Sequence, residues 1–257
     1  MLSGRVLALD IFAIHAGIVV LVAGAAEIGN WLGRRFRRPG AEGADIGTLT
    51  AAALGLLALL LAFSFSIALS RFDARRGMVL DEANAIGSAA NFARLLPQAE
   101  QGPILGLLRD YAAVRLALGD ESDARMPDDI ARSLDLQTKL WREAAAASAA
   151  SPQSLPVSNF ARALNELTNI HEARLTNLRY HVPSAVILML IGVAMVAMGF
   201  TGYNSGALGA RRRIPDLIMS VTIGLLIMLV RDLDDPRRGL SQVPVQPLVD
   251  VMAELGP

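Results

Sequence analysis

The feature that most constrains this chain is the run from Ile46 to Leu69, 24 residues without a single charge. A hydrocarbon core about 30 Å thick is crossed by ~20 apolar helical residues. Lipid offers no hydrogen bonds, so such a segment must satisfy its backbone internally, as a helix does. Three more runs share this character. Ile11 to Gly33 is apolar except for His15 and Glu27, Val182 to Ala210 is uncharged, and Ile214 to Val230 carries only Asp216 near its start. The last run reaches only ~25 Å as a helix, so it should thin the bilayer or cross with little tilt. Hydrophobic residues make up 53% of the chain and charged residues 19%, which fits membrane insertion. The expected fold is all-α: a polytopic membrane protein with four transmembrane helices and an extramembrane helical bundle inserted between helices 2 and 3. The boundaries read as 1–70 for the first helix pair, 71–181 for the extramembrane domain, 182–231 for the second pair and 232–257 for a C-terminal tail.

Ala23-Gly24-Ala25 resembles a signal-peptide cleavage site. The cluster Arg34, Arg35, Arg37 and Arg38 follows at once and opposes translocation, so the first run is expected to be a retained membrane helix. Sidedness stays open. Seven arginines flank the two short loops and nine lie near helix ends on the other side, so neither face has a decisive excess.

Residues 71 to 181 carry 13 basic and 14 acidic residues in mixed order, the pattern of a solvated helical surface. Pro97, Gly102-Pro103, Gly119, Pro127, Ser151-Pro152 and Pro156 are expected to divide it. The pieces are rich in Ala, Leu, Arg and Glu and read as helices. From Phe160, apolar residues recur at Leu164, Leu167, Ile170, Leu175 and Leu178 with helical spacing. Met126-Pro127-Asp128-Asp129 has the acids of a helix start. Between Ile46 and Leu96 no breaker other than glycine occurs, so the second membrane helix should continue well beyond the lipid.

On that helix, steps of three and four residues connect Thr48, Ala51, Gly55, Ala58, Ala62, Ser66, Ser70 and Asp73 on one face. The remaining faces carry Leu54, Leu56, Leu57, Leu60, Leu61, Phe63 and Phe65. A stripe of small residues lets helices pack closely in lipid. Packing is the commoner use, but the same stripe can line a water-filled path, where hydroxyls replace lost hydration. The stripe becomes more polar toward Ser66, Ser70 and Asp73, a gradient that a vestibule explains and a packing seam does not. Phe63 and Phe65 are candidates for an apolar constriction, or are bulk facing lipid.

Ser70-Arg71-Phe72-Asp73-Ala74-Arg75-Arg76 resembles the arginine-aromatic-acid-small-arginine signature that follows the second membrane helix of bestrophins, with one aromatic fewer. The wider stretch from Phe63-Ser64-Phe65-Ser66 through Asp81-Glu82-Ala83-Asn84-Ala85-Ile86-Gly87 is similar to the bestrophin-like membrane proteins of bacteria and plants. Asp234-Asp235-Pro236-Arg237-Arg238-Gly239 is similar to that family's pattern near the C-terminus. Bestrophins are pentameric anion channels with a helical cytoplasmic region below the pore. The resemblance therefore implies an ion channel in the bacterial cell membrane, with residues 71–181 and both termini cytoplasmic. The acidic calcium-clasp run of bestrophins is missing here.

The signature also has a direct physical reading. Arg71 and Arg75 share a helix face, with Arg76 and Asp73 beside them. These arginines either snorkel to lipid phosphates or hold Asp81, Glu82, Asp232, Asp234 or Asp235 in buried pairs. With Arg237, they are expected to form an interhelical charge network at the membrane exit, structural in role.

Other chemistry is poorly supported. Net charge is zero, so nucleic acid is not an expected partner. Cysteine is absent and Lys139 is the sole lysine, which removes thiolate chemistry and leaves one Schiff-base candidate. His15 in a membrane helix is a functional hypothesis by default, though a hydrogen bond to a neighbouring helix explains it. His171-Glu172 lacks a second histidine four residues after the first, so the helical zinc motif fails. His181 sits beside Pro183 at the interface. Gly202, Gly206 and Gly209, with Asn204 and Ser205, are read as a flexible turn between two membrane helices. No catalytic residue, metal or cofactor is expected. The leading reading is an oligomeric ion pore lined by the second helix, a cyclic homo-oligomer in a lipid bilayer passing an inorganic ion. The alternative is a non-conducting scaffold or sensor whose stripe is a dry seam.

Overall fold

A computed structural model describes residues 2–36, 44–120, 126–179, 182–209, 213–235 and 241–256. Among these, every regular element is an α-helix. They are α1 (Leu2–Arg35), α2 (Ala44–Ala93), α3 (Gln98–Asp120), α4 (Met126–Ala150), α5 (Leu155–Arg179), α6 (Ser184–Ala207), α7 (Arg213–Asp234) and α8 (Gln246–Leu255). Four of them are long and apolar enough to cross a membrane: α1, α2, α6 and α7.

The chain divides into two compact units, Met1–Phe72 with His181–Ser241, and Asp73–Tyr180 with Gln242–Pro257. Helix α2 contributes to both. Its 50 residues rise about 75 Å, more than twice what lipid needs. Its part up to Phe72, which holds the uncharged run 46–69, belongs to the first unit, and its part from Asp73 belongs to the second.

The first unit is held by α1 against α6, where the backbones approach too closely for side chains. A Cβ at Gly29 would overlap the Gly199 carbonyl, and one at Gly33 the Tyr203 carbonyl. In return, Gly202 rests on the Ala26 carbonyl and Gly206 on that of Asn30. Both helices thus carry small residues four apart, which permits dispersion contact along the whole seam. The expectation of a glycine turn is corrected here. Gly202 and Gly206 lie inside α6, because their packing role requires helix. The turn is left to Leu208 and Gly209, whose φ of 68° suits glycine. Ile18, Val22, Leu57, Leu61, Leu190, Met198, Ile223 and Ile227 complete this core.

The second unit packs α2, α3, α4, α5 and α8 around Ile86, Leu108, Tyr111, Leu140, Phe160, Leu164, Leu167 and Leu248. Pro127 and Pro156 mark divisions of the unit by standing second in α4 and α5, where the missing N–H has no partner to lose. Pro103 lies inside α3 and does not end it. Its locked φ suits a helix, and the loss is one bond near the N-terminus. The break at Pro97 holds, and there the Gln101 amide caps the end of α2 by donating to the carbonyls of Leu96 (2.8 Å) and Arg94 (3.0 Å). Arg94 and Arg109 similarly donate to the last carbonyls of α8, at Glu254 (3.0 Å) and Leu255 (3.3 Å).

Candidate functional site

Helix α2 presents three faces. The first is a buried seam at steps of three and four: Thr50, Leu57, Leu61, Ser64, Ala68, Arg75, Val79, Glu82, Ile86, Ala89 and Ala93. This face packs within the chain. The second is a bulky ridge of Leu49, Leu56, Phe63 and Ile67, each more than half exposed. The third is the small-residue stripe. Thr48, Ala51, Gly55, Ala58, Ala62, Ser66, Ser70 and Asp73 are exposed without exception, and nothing lies within 4 Å of a Cβ placed at Gly55. At 100° per residue the three faces stand roughly a third of a turn apart. Leu59 and Leu69 border the stripe and are also exposed.

An apolar groove of about 570 Å³ runs along one edge of the stripe, between α2 and α7. Ala58, Ala62 and Phe65 line it with Met219, Leu226 and Leu229. The two phenylalanines differ. Phe63 is 60% exposed, whereas Phe65 is half-buried against Ala68, Val230 and Leu233 of its own chain.

The charged residues separate in the same way. Asp73, Arg76 and Asp81 are exposed, Arg71 is half-buried, and Arg75 and Glu82 are buried. Asp234 is buried, and its Oδ2 accepts from the Val182 amide at 2.7 Å. Asp232 accepts from the Ser241 amide at 3.0 Å, and Asp235 is half-buried. Arg237, His181 and the side chain of His15 lie outside the described residues.

Glu82 belongs to a network that also includes residues of α3, α4 and α5. Its Oε1 accepts from Arg115 Nε at 2.6 Å and from the Tyr111 hydroxyl at 2.8 Å. Its Oε2 accepts from Arg115 Nη2 at 3.3 Å and from Arg174 Nη1. The Tyr111 oxygen also meets His171 Nδ1 at 3.0 Å and Gln137 Nε2 at 3.4 Å. A phenol has one proton, and the ionised carboxylate takes it. His171 must therefore donate from Nδ1, which leaves a lone pair on Nε2. Burial pushes the Glu82 carboxyl up, but the charges of Arg115 and Arg174 overcome this and hold it at about 2. Burial and the Arg115 charge push His171 down to about 4, so its ring is neutral at pH 7. Burial and Glu82 push the Tyr111 phenol far above its usual range.

In the sequence Glu82 stands out beside Asp81 and Asn84, whereas Tyr111, Arg115, Gln137 and Arg174 carry no motif and His171 offers only the incomplete zinc motif. A signal was present on α5. Phe160, Leu164 and Leu167 continue at steps of four and three to His171 and Arg174, so both polar residues occupy a buried face. Among the described residues, no group of three metal-ligating side chains comes together.

The Bestrophin-like domain matches residues 20–248. The chain belongs to the bestrophin-like family. Its fold is that of a bacterial bestrophin homolog from Klebsiella pneumoniae, with a TM-score of 0.70 at 18% identity over 95% of this chain and 97% of the other. A point variant of that homolog aligns with a TM-score of 0.72 at 16% identity, over 95% and 96%. No curated protein matches this bestrophin-like chain in sequence. It is a membrane protein of four apolar spanning helices with a helical extramembrane unit.

Proposed function

We propose that this protein is the subunit of an oligomeric ion-conducting pore, lined by the small-residue face of α2. The observation that carries the reading is that this face is exposed from Thr48 to Asp73, while the opposite side of the same helix is packed within the chain. A helix in a closed ring has three environments: its own bundle, its neighbours and the axis. The buried seam, the bulky ridge and the small stripe of α2 correspond to these. Gly55, Ala58 and Ala62 leave room for a path. The hydroxyls of Ser66 and Ser70 offer partial hydration, and Asp73 stands toward the vestibule. In this arrangement Phe63 stands on the ridge that meets the neighbours and Phe65 is engaged within its own chain, so Phe63 narrows the path only where it reaches round from that ridge. Membership of the bestrophin-like family supports a cyclic homo-oligomer in the bacterial cell membrane. The dry-seam alternative draws less support, because the close-packed glycine seam of this chain is the one between α1 and α6.

Ion flux into proteoliposomes tests the reading. The native protein should conduct, and Ser66→Trp should abolish flux by filling the path. Native flux that the indole leaves unchanged removes residue 66 from the path. Absence of native flux under every salt gradient removes the pore.

A further inference from the structure

The buried network of the second unit carries more positive charge than negative. Glu82 brings one negative charge, and its two oxygens already accept from four donors on Arg115, Tyr111 and Arg174. Arg115 and Arg174 bring two positive charges. The other titratable members, Tyr111 and His171, are uncharged at neutral pH. Among the described residues of the cluster, one positive charge is therefore left over around Glu82, whose side chain is fully inaccessible to water, as is that of Arg115. Arg174 is 8% exposed.

The hydrogen-bond census points the same way. Arg115 Nη1 is buried and, among the described residues, meets no acceptor. A buried guanidinium N–H without a partner, on a charge without a counter-charge, is costly on both counts. A water molecule would answer the first deficit and leave the second. A second carboxylate would answer both, yet among the described residues the carboxylate that Arg115 and Arg174 pair with is Glu82 in each case.

We propose that this cluster binds one small monovalent anion of halide size, held by Arg115 Nη1 and balanced by the charge that Arg115 and Arg174 hold in excess of Glu82. Charge balance sets the class, because a dianion such as sulfate would overshoot neutrality inside the bundle. Enclosure by Tyr111 and His171, each with no exposed surface and joined to each other at 3.0 Å, restricts the size. The site lies within one chain and away from the exposed stripe, so it is independent of the proposed conduction path.

The test is thermal unfolding of the full-length protein in detergent, in sodium bromide against sodium gluconate at equal ionic strength. At a bromide concentration ten times its Kd, the midpoint should rise by roughly 3–6 °C. Arg174→Gln leaves one guanidinium for one carboxylate and should abolish the difference, whereas Ser66→Trp should retain it. A bromide-soaked crystal of the native protein should show an anomalous peak beside Arg115 Nη1. This peak decides the matter alone if Arg174→Gln does not fold. Equal melting in the two salts, a shift that survives Arg174→Gln, or water without halide at Arg115 each overturns the proposal.

Discussion

Glu82 on α2 and Arg115 on α3 form an ion pair of 2.6 Å in which neither side chain has any exposed surface. They are 33 residues apart in sequence, and their meeting fixes how two helices of the second unit register. A buried pair of this kind contributes little over an apolar substitute, but removing one partner strands the other without water.

Glu82→Gln should therefore destabilise the second unit severely. Two buried guanidiniums would share an amide that carries no charge, at a cost of about 3–5 kcal/mol. Chemical denaturation followed by the helical circular dichroism signal measures this. An unfolding midpoint equal to the native one shows that the pair is not holding the bundle.

Acid should weaken the fold in two stages with different owners. His171 takes up a proton at about 4 when folded and near 6.5 when unfolded. Its folded value is depressed, so the unfolded chain binds more protons between these limits, and stability falls as pH drops from about 6.5 to 4. The loss is of order 2–3 kcal/mol. Glu82, held at about 2, adds a second loss below its ordinary value of 4.5. His171→Gln should flatten the first stage and spare the second. Coincident stability profiles for the two proteins across pH 4–6.5 would contradict the assignment.

The parts of this fold legible in sequence were those written in long runs. Uncharged stretches of lipid length announce the spanning helices. The lack of proline from Ile46 to Leu96 announces the length of α2. What escaped was decided by partners distant in the chain. Gly202 and Gly206 look like a turn until α1 is laid against them. Arg115 looks like a solvated charge until Glu82 arrives from another helix. The exposure of the stripe was equally out of reach, because periodicity shows which residues share a face and not what covers it.

The α1–α6 seam should be intolerant of a single methyl group. Alanine at Gly202 would drive its Cβ into the Ala26 carbonyl oxygen, which is rigid backbone. Overpacking of this kind costs roughly 1–3 kcal/mol. Gly55→Ala meets open space and removes a flexible residue from a helix, so it should be neutral or stabilising by up to ~1 kcal/mol. Thermal midpoints of the two variants in the same detergent make the comparison. Equal effects would mean that the close approach of α1 and α6 is not what holds the first unit.

The charge of Asp73 should govern which ions enter the proposed pore. It is exposed on α2, one turn beyond Ser70 on the same stripe. In a ring of subunits it would repeat as a circle of carboxylates, which attracts cations and repels anions. Asp73→Asn removes that field without changing side-chain size, and Asp73→Arg reverses it. Cation over anion permeability should fall severalfold in the first variant and further in the second. Reversal potentials across a planar bilayer under a salt gradient report the ratio directly. Asp81 also lies exposed on α2, two turns further on, so Asp81→Asn serves as the comparison. If Asp73→Asn and Asp73→Arg leave the reversal potential where the native protein has it, the carboxylate does not face the conduction path.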